Sequence, residues 1–233
     1  MKYIIKFKKQ GKIRFISHLD LQKVFLRLFR IIGVKPKYSN GFNPHPKLSF
    51  ALPLSLGFAS CAEYLELETE SETGFDINTV NSKLLEYLPD GLTISYIHEK
   101  PLQINKKLAS YIDSARYVVY CPYFDDSEKV LEKYLAQKKI TYDKTSRKSG
   151  KTKTIDIKPS IHELKIISVD SNIISLSALL HAGSDSVLSP NVLIQNLFEY
   201  MGKQIDISEL SVTRKDVFCK IDGAIANVDD IME

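Results

Sequence analysis

The stretch that decides the fold is residues 2–33, KYIIKFKKQGKIRFISHLDLQKVFLRLFRIIG, where a strand pattern passes into a helix pattern. Residues 2–8 predict a strand, and Lys9, Gly11 and Lys12 predict a turn after it. Ser17 is a good helix N-cap, and Asp20 lies where the acid of a capping box lies, near the positive end of the helix. Apolar residues then recur at helical spacing until Gly33 ends the helix: Leu21, Val24, Phe25, Leu28 and Ile32.

The residues that follow complete a recognisable order of elements. Residues 47–52 and 62–68 predict two strands. The alternation of side chains along them suggests that one face is buried and the other is exposed to solvent. Asp76 caps a predicted helix that ends at Pro89, and residues 92–97 predict a fourth strand. The order β-α-β-β-α-β is that of a ferredoxin-like domain.

The second half of the chain repeats this order without a close sequence repeat. Its predicted elements are strands at 115–120, 155–159 with 164–168, 173–180 and 207–213, and helices at 127–138 and after Ser189-Pro190. We therefore predict an α+β fold of two tandem ferredoxin-like (βαββαβ) halves, with an N-terminal domain at 1–100 and a C-terminal domain at 111–220.

Charge is sorted strongly along the chain. Residues 1–50 hold twelve Lys and Arg and one acid, Asp20, whereas the other residues hold twenty bases and twenty-seven acids. Such sorting indicates a surface that meets polyanions. Eight side chains are predicted to contact phosphates: Lys12, Arg14, Lys23, Arg27, Arg30, Lys35, Lys37 and Lys47.

A specific pocket is predicted where the start of the first helix meets the proline-rich loop 35–46. Its candidate residues are Ser17, His18, Asn43, His45 and Lys47, and we expect residues 17–20 and 41–47 to converge there. His18 is either a half-buried histidine against the sheet, a ligand-facing residue, or a general base acting on a ribose hydroxyl. His45 lies between two prolines that stiffen the loop. It is either an exposed residue without a function or a ligand-binding group that loses little conformational entropy on binding. Phe42 either anchors the loop or stacks on a base.

The sequence gives little support to a metal-binding, cofactor-dependent, membrane or secreted protein. Cys61, Cys121 and Cys219 are far apart and read as free thiols in a reducing cytoplasm, so no metal site is predicted. No cofactor motif is present, and no cofactor is predicted. No apolar run is long enough to span a membrane, and the lysine-rich N-terminus is not a signal peptide.

A second basic segment, residues 138–158, has two interpretations. It is either a solvated hairpin whose lysines protect an exposed strand edge, or a mobile loop that clamps phosphates. Its SRKSGKTK centre, residues 146–153, lacks the spacing of a P-loop.

The sequence resembles a bacterial family of uncharacterised domains described as radical-SAM-associated. The resemblance rests on RFISHLDL at 14–21, YSNGFNPHPKLS at 38–49, LPLSLG at 52–57, Ser60 and Glu63, and more weakly on Ser189-Pro190 and TRK at 213–215. It implies a separately encoded radical SAM protein as partner and a tRNA, rRNA or ribosome context. This chain lacks a CxxxCxxC cluster, so it is not itself a radical SAM catalyst.

Three functional hypotheses follow. The leading one is a non-catalytic subunit that binds RNA or presents a substrate to a radical SAM enzyme. The second is a metal-independent endoribonuclease resembling the CRISPR repeat-processing nucleases, with His18 as general base and Tyr38 or Lys47 stabilising charge. The C-terminal residues lack the glycine-rich loop of that class, which counts against it. The third is a protein–protein adaptor whose basic surface faces an acidic partner.

Overall fold

The first strand and the first helix lie where the sequence predicts them. The computed structural model describes residues 1–70, 74–145 and 150–232, and it places strand β1 at Lys2–Lys9 and helix α1 at His18–Ile32. The Ser17 hydroxyl accepts a hydrogen bond from the Asp20 amide at 3.1 Å. Gly33 ends the helix at φ +80°, a conformation that costs glycine little. Both predicted caps of α1 are confirmed.

Strands and helices continue along the rest of the described residues. In chain order they are β2 (Leu48–Phe50), β3 (Ala59–Glu68), α2 (Ile77–Tyr87), β4 (Leu92–Glu99), β5 (Ile112–Pro122), α3 (Ser127–Ala136), β6 (Thr141–Thr145), β7 (Thr152–Asp156), β8 (Ile161–Val169), β9 (Ile173–His181), α4 (Pro190–Tyr200), β10 (Ser211–Ile221), β11 (Ala224–Asn227) and α5 (Val228–Met232).

The chain divides into two compact units. The first unit comprises Met1–Asp113 and Arg214–Glu233, and the second comprises Ser114–Thr213. Most of β10 therefore belongs with the N-terminal residues. The independent domains proposed from sequence at 1–100 and 111–220 stay a prediction.

The strands of the first unit follow the order β4-β1-β3-β10, and β1 is antiparallel to both β3 and β4. The central strand β1 pairs with both β3 and β4, so that Ile5 lies opposite Leu65 on one side and Ile97 on the other. The short β2 also pairs with β3, and β11 pairs with β10.

One face of this sheet forms the core of the first unit. Tyr3, Ile5 and Phe7 alternate along β1 and pack with α1 and α2, whose buried residues include Phe25 and Leu84. Because side chains alternate along a strand, the intervening residues, among them Lys2, Lys6 and Glu66, point to the opposite face. We call this opposite face the open face.

The main strands of the second unit are antiparallel, and β9 pairs with both β5 and β8. Leu176, Ala178 and Leu180 of β9 are fully buried. Strands β6 and β7 form a separate hairpin in which Thr145 lies opposite Thr152. Residues 146–149, the centre of the second basic segment, lie outside the described residues.

Two predicted strands of the second half are placed wrongly. The strand predicted at 207–213 is instead a 3-10 turn, Ile207–Glu209, held by a capping box with Asp206, and the strand that follows runs on to Ile221. The strand predicted at 155–159 does not reach its predicted end, because β7 stops at Asp156. Pro159, which has no amide hydrogen to donate, lies in the 3-10 turn that follows.

The fold class is α+β, with mostly antiparallel pairing and few helices. The finer prediction of a tandem ferredoxin-like repeat stays a prediction. Among the described helices, none has both the length and the apolar character that a membrane crossing needs.

Candidate functional site

A cleft of about 600 Å³ opens on the first unit, beside the open face of its sheet. Its walls come from the loop after Tyr38, from strands β2 and β3, and from the segment that follows β4. We call it the basic cleft, and its lining consists of Lys2, Ser39, His45, Pro46, Lys47, Leu48, Ser49, Glu66, Glu68, Lys100, Asn105, Lys106 and Lys107.

The floor of the basic cleft carries balanced charge. Lys100 and Glu66 form a nearly buried ion pair, with 4% and 13% of their side chains exposed. The second oxygen of Glu66 accepts the Leu108 amide at 3.0 Å, which ties the segment after β4 to the sheet. A carboxylate satisfied in this way offers little to a ligand.

Its rim carries an excess of positive charge. The same oxygen of Glu68 forms ion pairs with the ammonium groups of Lys47 at 3.2 Å and Lys37 at 3.1 Å. One negative charge therefore balances only one of the two positive charges. Burial opposes the ionisation of Glu68, but the hydrogen bonds from these two lysines outweigh it and hold the pKa of Glu68 below its ordinary value.

Three further lysines of the cleft add charge that no carboxylate of the described residues neutralises. Lys2, Lys106 and Lys107 are exposed, and none forms an ion pair within the described parts of the chain. Five lysines against two glutamates leave the lining at +3 with His45 neutral. The cleft is therefore suited to a ligand with several negative charges.

The loop that forms one wall is closed by its own hydrogen bonds. The Ser39 amide donates to the His45 carbonyl at 2.8 Å, and the His45 amide donates back to the Ser39 hydroxyl at 3.0 Å. Tyr38 and Pro46 pair as an isolated bridge just outside this ring. The predicted residues His45 and Lys47 thus line the cleft, while Asn43 lies exposed at the loop tip.

The start of α1 is a separate place. His18 is exposed, and its ring meets the edge of Phe50 with 4.9 Å between centroids. Phe50 packs in the helix-covered core, and neither Ser17 nor His18 is among the residues that line the basic cleft. The expected convergence of residues 17–20 with 41–47 into one pocket is therefore not what the structure shows.

Among the described residues, no proton-transfer partner accompanies His18. Its ring makes no hydrogen bond within the described residues, and its neighbour Asp20 is engaged by Ser17 at 2.7 Å and Lys23 at 3.1 Å. The role of His18 as a general base stays a prediction.

The basic face predicted on α1 is present. Lys23, Arg27 and Arg30 are exposed, and Arg30 borders a groove of about 300 Å³ together with Lys35 and Tyr38. Tyr38 and Lys47, proposed together as charge-stabilising residues, thus line different cavities, the groove and the basic cleft.

Arg14 is half-buried, and its guanidinium lies 4.7 Å from the centre of the Phe15 ring. This distance is that of a cation–π contact between neighbouring residues.

Sequence reasoning missed a buried cluster of charge in the first unit. Arg214 of β10 forms an ion pair with Glu63 of β3, and also donates to the Leu52 carbonyl at 2.8 Å. Lys9 of β1 is equally buried and donates to the Ile16 carbonyl at 3.2 Å. Burial lowers the pKa of Lys9, and the Glu63 carboxylate acts in the opposite direction. The cluster therefore connects residues from several of the short motifs on which the family resemblance rests, namely 14–21, 52–57, Glu63 and 213–215.

A second polar cluster holds the C-terminal helix on the open face. Asp229 of α5 pairs with Lys6 and accepts hydrogen bonds from the hydroxyls of Tyr64 at 3.0 Å and Tyr96 at 2.8 Å. Burial alone would raise the pKa of Asp229, but the hydrogen bonds from Lys6 and Tyr96 hold it below its ordinary value. Neither the helix nor this cluster was predicted.

Fold and site together define an α+β protein with a positively charged cleft on its first unit. Residues 2–190 match the family of uncharacterized proteins conserved in bacteria (DUF2344), and the chain belongs to that family. No curated protein matches the chain in sequence.

Of two solved structures that resemble the chain, the first has the higher TM-score and supports a likeness in fold. The "Crystal Structure of a Cbf5-Nop10-Gar1 Complex" contains a chain with a TM-score of 0.52 and 9% identity, covering 92% of this chain and 48% of that one. The "Crystal structure of the archaeal box H/ACA sRNP Nop10-Cbf5 complex" gives a TM-score of 0.46 and 10% identity, covering 91% and 46%. The chain spans about half the length of these neighbours. At such identities the likeness concerns the fold alone.

Proposed function

We propose that this protein binds RNA through the basic cleft, with the exposed basic face of α1 as a second contact surface. The observation that carries the proposal is the excess positive charge of the cleft, where Lys2, Lys106 and Lys107 have no carboxylate partner within the described residues. Phosphate contacts of this kind supply affinity without reading sequence.

The finer form of the proposal is a subunit that presents tRNA or rRNA to a separately encoded radical SAM enzyme in the cytoplasm. Its support is the family resemblance carried by residues 14–21 and 38–57. On this proposal the chain contributes binding and orientation, and its partner contributes the reaction.

Fluorescence anisotropy with labelled tRNA and rRNA fragments, repeated over a series of salt concentrations, tests RNA binding. The double variant Lys106→Ala/Lys107→Ala removes two phosphate contacts, so we expect weaker binding to every RNA and a salt slope shallower by about 1.4 on single strands. The matched control is Lys133→Ala/Lys203→Ala, which removes the same charge from exposed positions of the second unit.

Equal losses in the two double variants would show that the cleft is not the binding surface. Failure of the wild type to bind RNA, with capture of an acidic protein partner by the same lysines, would favour the adaptor hypothesis instead.

A further inference from the structure

The most exposed aromatic side chain among the described residues stands beside the basic cleft. Phe42 is fully exposed at the tip of the loop that forms one cleft wall. It lies three positions after Ser39 and three positions before His45, and both of these line the cleft. Its backbone therefore lies within about 11 Å of the cleft lining.

The loop that carries Phe42 is constrained at its base. Its base is closed by the two hydrogen bonds between Ser39 and His45. Gly41 lies at φ +125°, which side-chain-bearing residues rarely adopt, and Pro44 restricts the other arm of the loop. An aromatic ring displayed on such a loop loses little conformational entropy when it binds.

We propose that Phe42 stacks on an unpaired base of a single-stranded RNA whose phosphates occupy the basic cleft. This inference rests on the proposed function and adds the class of RNA. Aromatic stacking next to a positively charged groove is how proteins hold single strands, because every base has a π-face. A base inside a duplex is already stacked on both faces and is not available to the ring.

Affinity measurements separate stacking from charge. We expect Phe42→Ala to weaken binding of a short single-stranded oligo(A) by about 5- to 160-fold, with an unchanged salt slope because no charge is lost. Binding of a blunt RNA duplex of equal length and of inorganic polyphosphate should not change. Phe42→Leu should behave like Phe42→Ala, whereas Phe42→Tyr should retain binding.

The matched control is Leu102→Ala, which removes another almost fully exposed apolar side chain of the first unit. Its affinity for oligo(A) should equal that of the wild type. Since Phe42 and Leu102 are both exposed, neither variant should disturb folding.

A spectroscopic test is available because the sequence contains no tryptophan. Phe42→Trp introduces a single indole, whose fluorescence should be quenched by oligo(A) but not by polyphosphate or the duplex. Equal affinity of Phe42→Ala and wild type for oligo(A), or equal quenching by all three ligands, would overturn the stacking proposal. The proposed function fails separately, when the cleft lysines have no effect on RNA binding.

Discussion

Neutralising Glu63 should destabilise the first unit more than any single change on its surface. The Glu63 carboxylate forms an ion pair with Arg214. Lys9 is also buried, and the charge of Glu63 acts to raise its pKa. Glu63→Gln keeps the shape of the side chain and removes the anion from between two buried cations. Breaking a buried pair in this way costs about 3–5 kcal/mol of unfolding free energy. The melting temperature should fall by about 6–20 °C.

The structure also predicts an asymmetry within the cluster. Arg214→Met leaves Glu63 with Lys9, a balanced pair, so its cost should be smaller, about 1–3 kcal/mol for the lost hydrogen bonds and packing. Lys9→Met added to Glu63→Gln removes one of the two remaining cations and should restore part of the lost stability. Urea unfolding followed by circular dichroism measures all three differences.

The matched control is Glu68→Gln, because Glu68 also pairs with two cations but is only half-buried, and both of its lysines are exposed. A pair with solvent-exposed lysines contributes about 0–1 kcal/mol. If Glu63→Gln costs no more than Glu68→Gln, burial does not decide the strength of these contacts and our reasoning is wrong.

Two further changes test single features of the first unit. Asp229→Asn should release α5 from Lys6, seen as faster hydrogen exchange at residues 224–232, whereas Asp230→Asn on the exposed side of that helix should not. Because the folded pKa of Asp229 lies below its ordinary 3.8, this contribution is present above pH 3.8 and is lost as the pH falls through the lower folded value. Ser17→Ala removes the N-cap of α1 and should cost about 1 kcal/mol in urea unfolding, and a variant as stable as the wild type would show that the cap is not needed.

Local signals were sufficient to predict α1, because its two ends are encoded by Ser17 and Gly33 themselves. The same signals misplaced the end of the second half. The residues RKD at 214–216 look like a polar turn, so a strand running to Ile221 was not predicted. The ion pair with Glu63, 151 positions away in sequence, helps to make Arg214 acceptable inside a sheet.

The sequence alone predicts only part of the candidate site. His45 and Lys47 were found because a proline-stiffened loop is a local feature. Lys106 and Lys107 fall in a stretch that the sequence predicts only as a linker, and they reach the cleft because Glu66 holds the Leu108 amide. That contact joins residues 42 positions apart, and no local pattern encodes it.

The charge of the N-terminal fifty residues overstates the field that a ligand meets there. Lys9 is buried against Glu63, and Lys6 is neutralised by Asp229, so neither is available to a phosphate. The excess that remains at the cleft comes from Lys2, which lies in that segment, and from Lys106 and Lys107, which lie outside it. Two of the three lysines that suit the cleft to a polyanion therefore lie outside the segment whose charge first suggested one. Removing those two lysines should accordingly weaken RNA binding more than removing Lys6, whose ammonium group already has a partner.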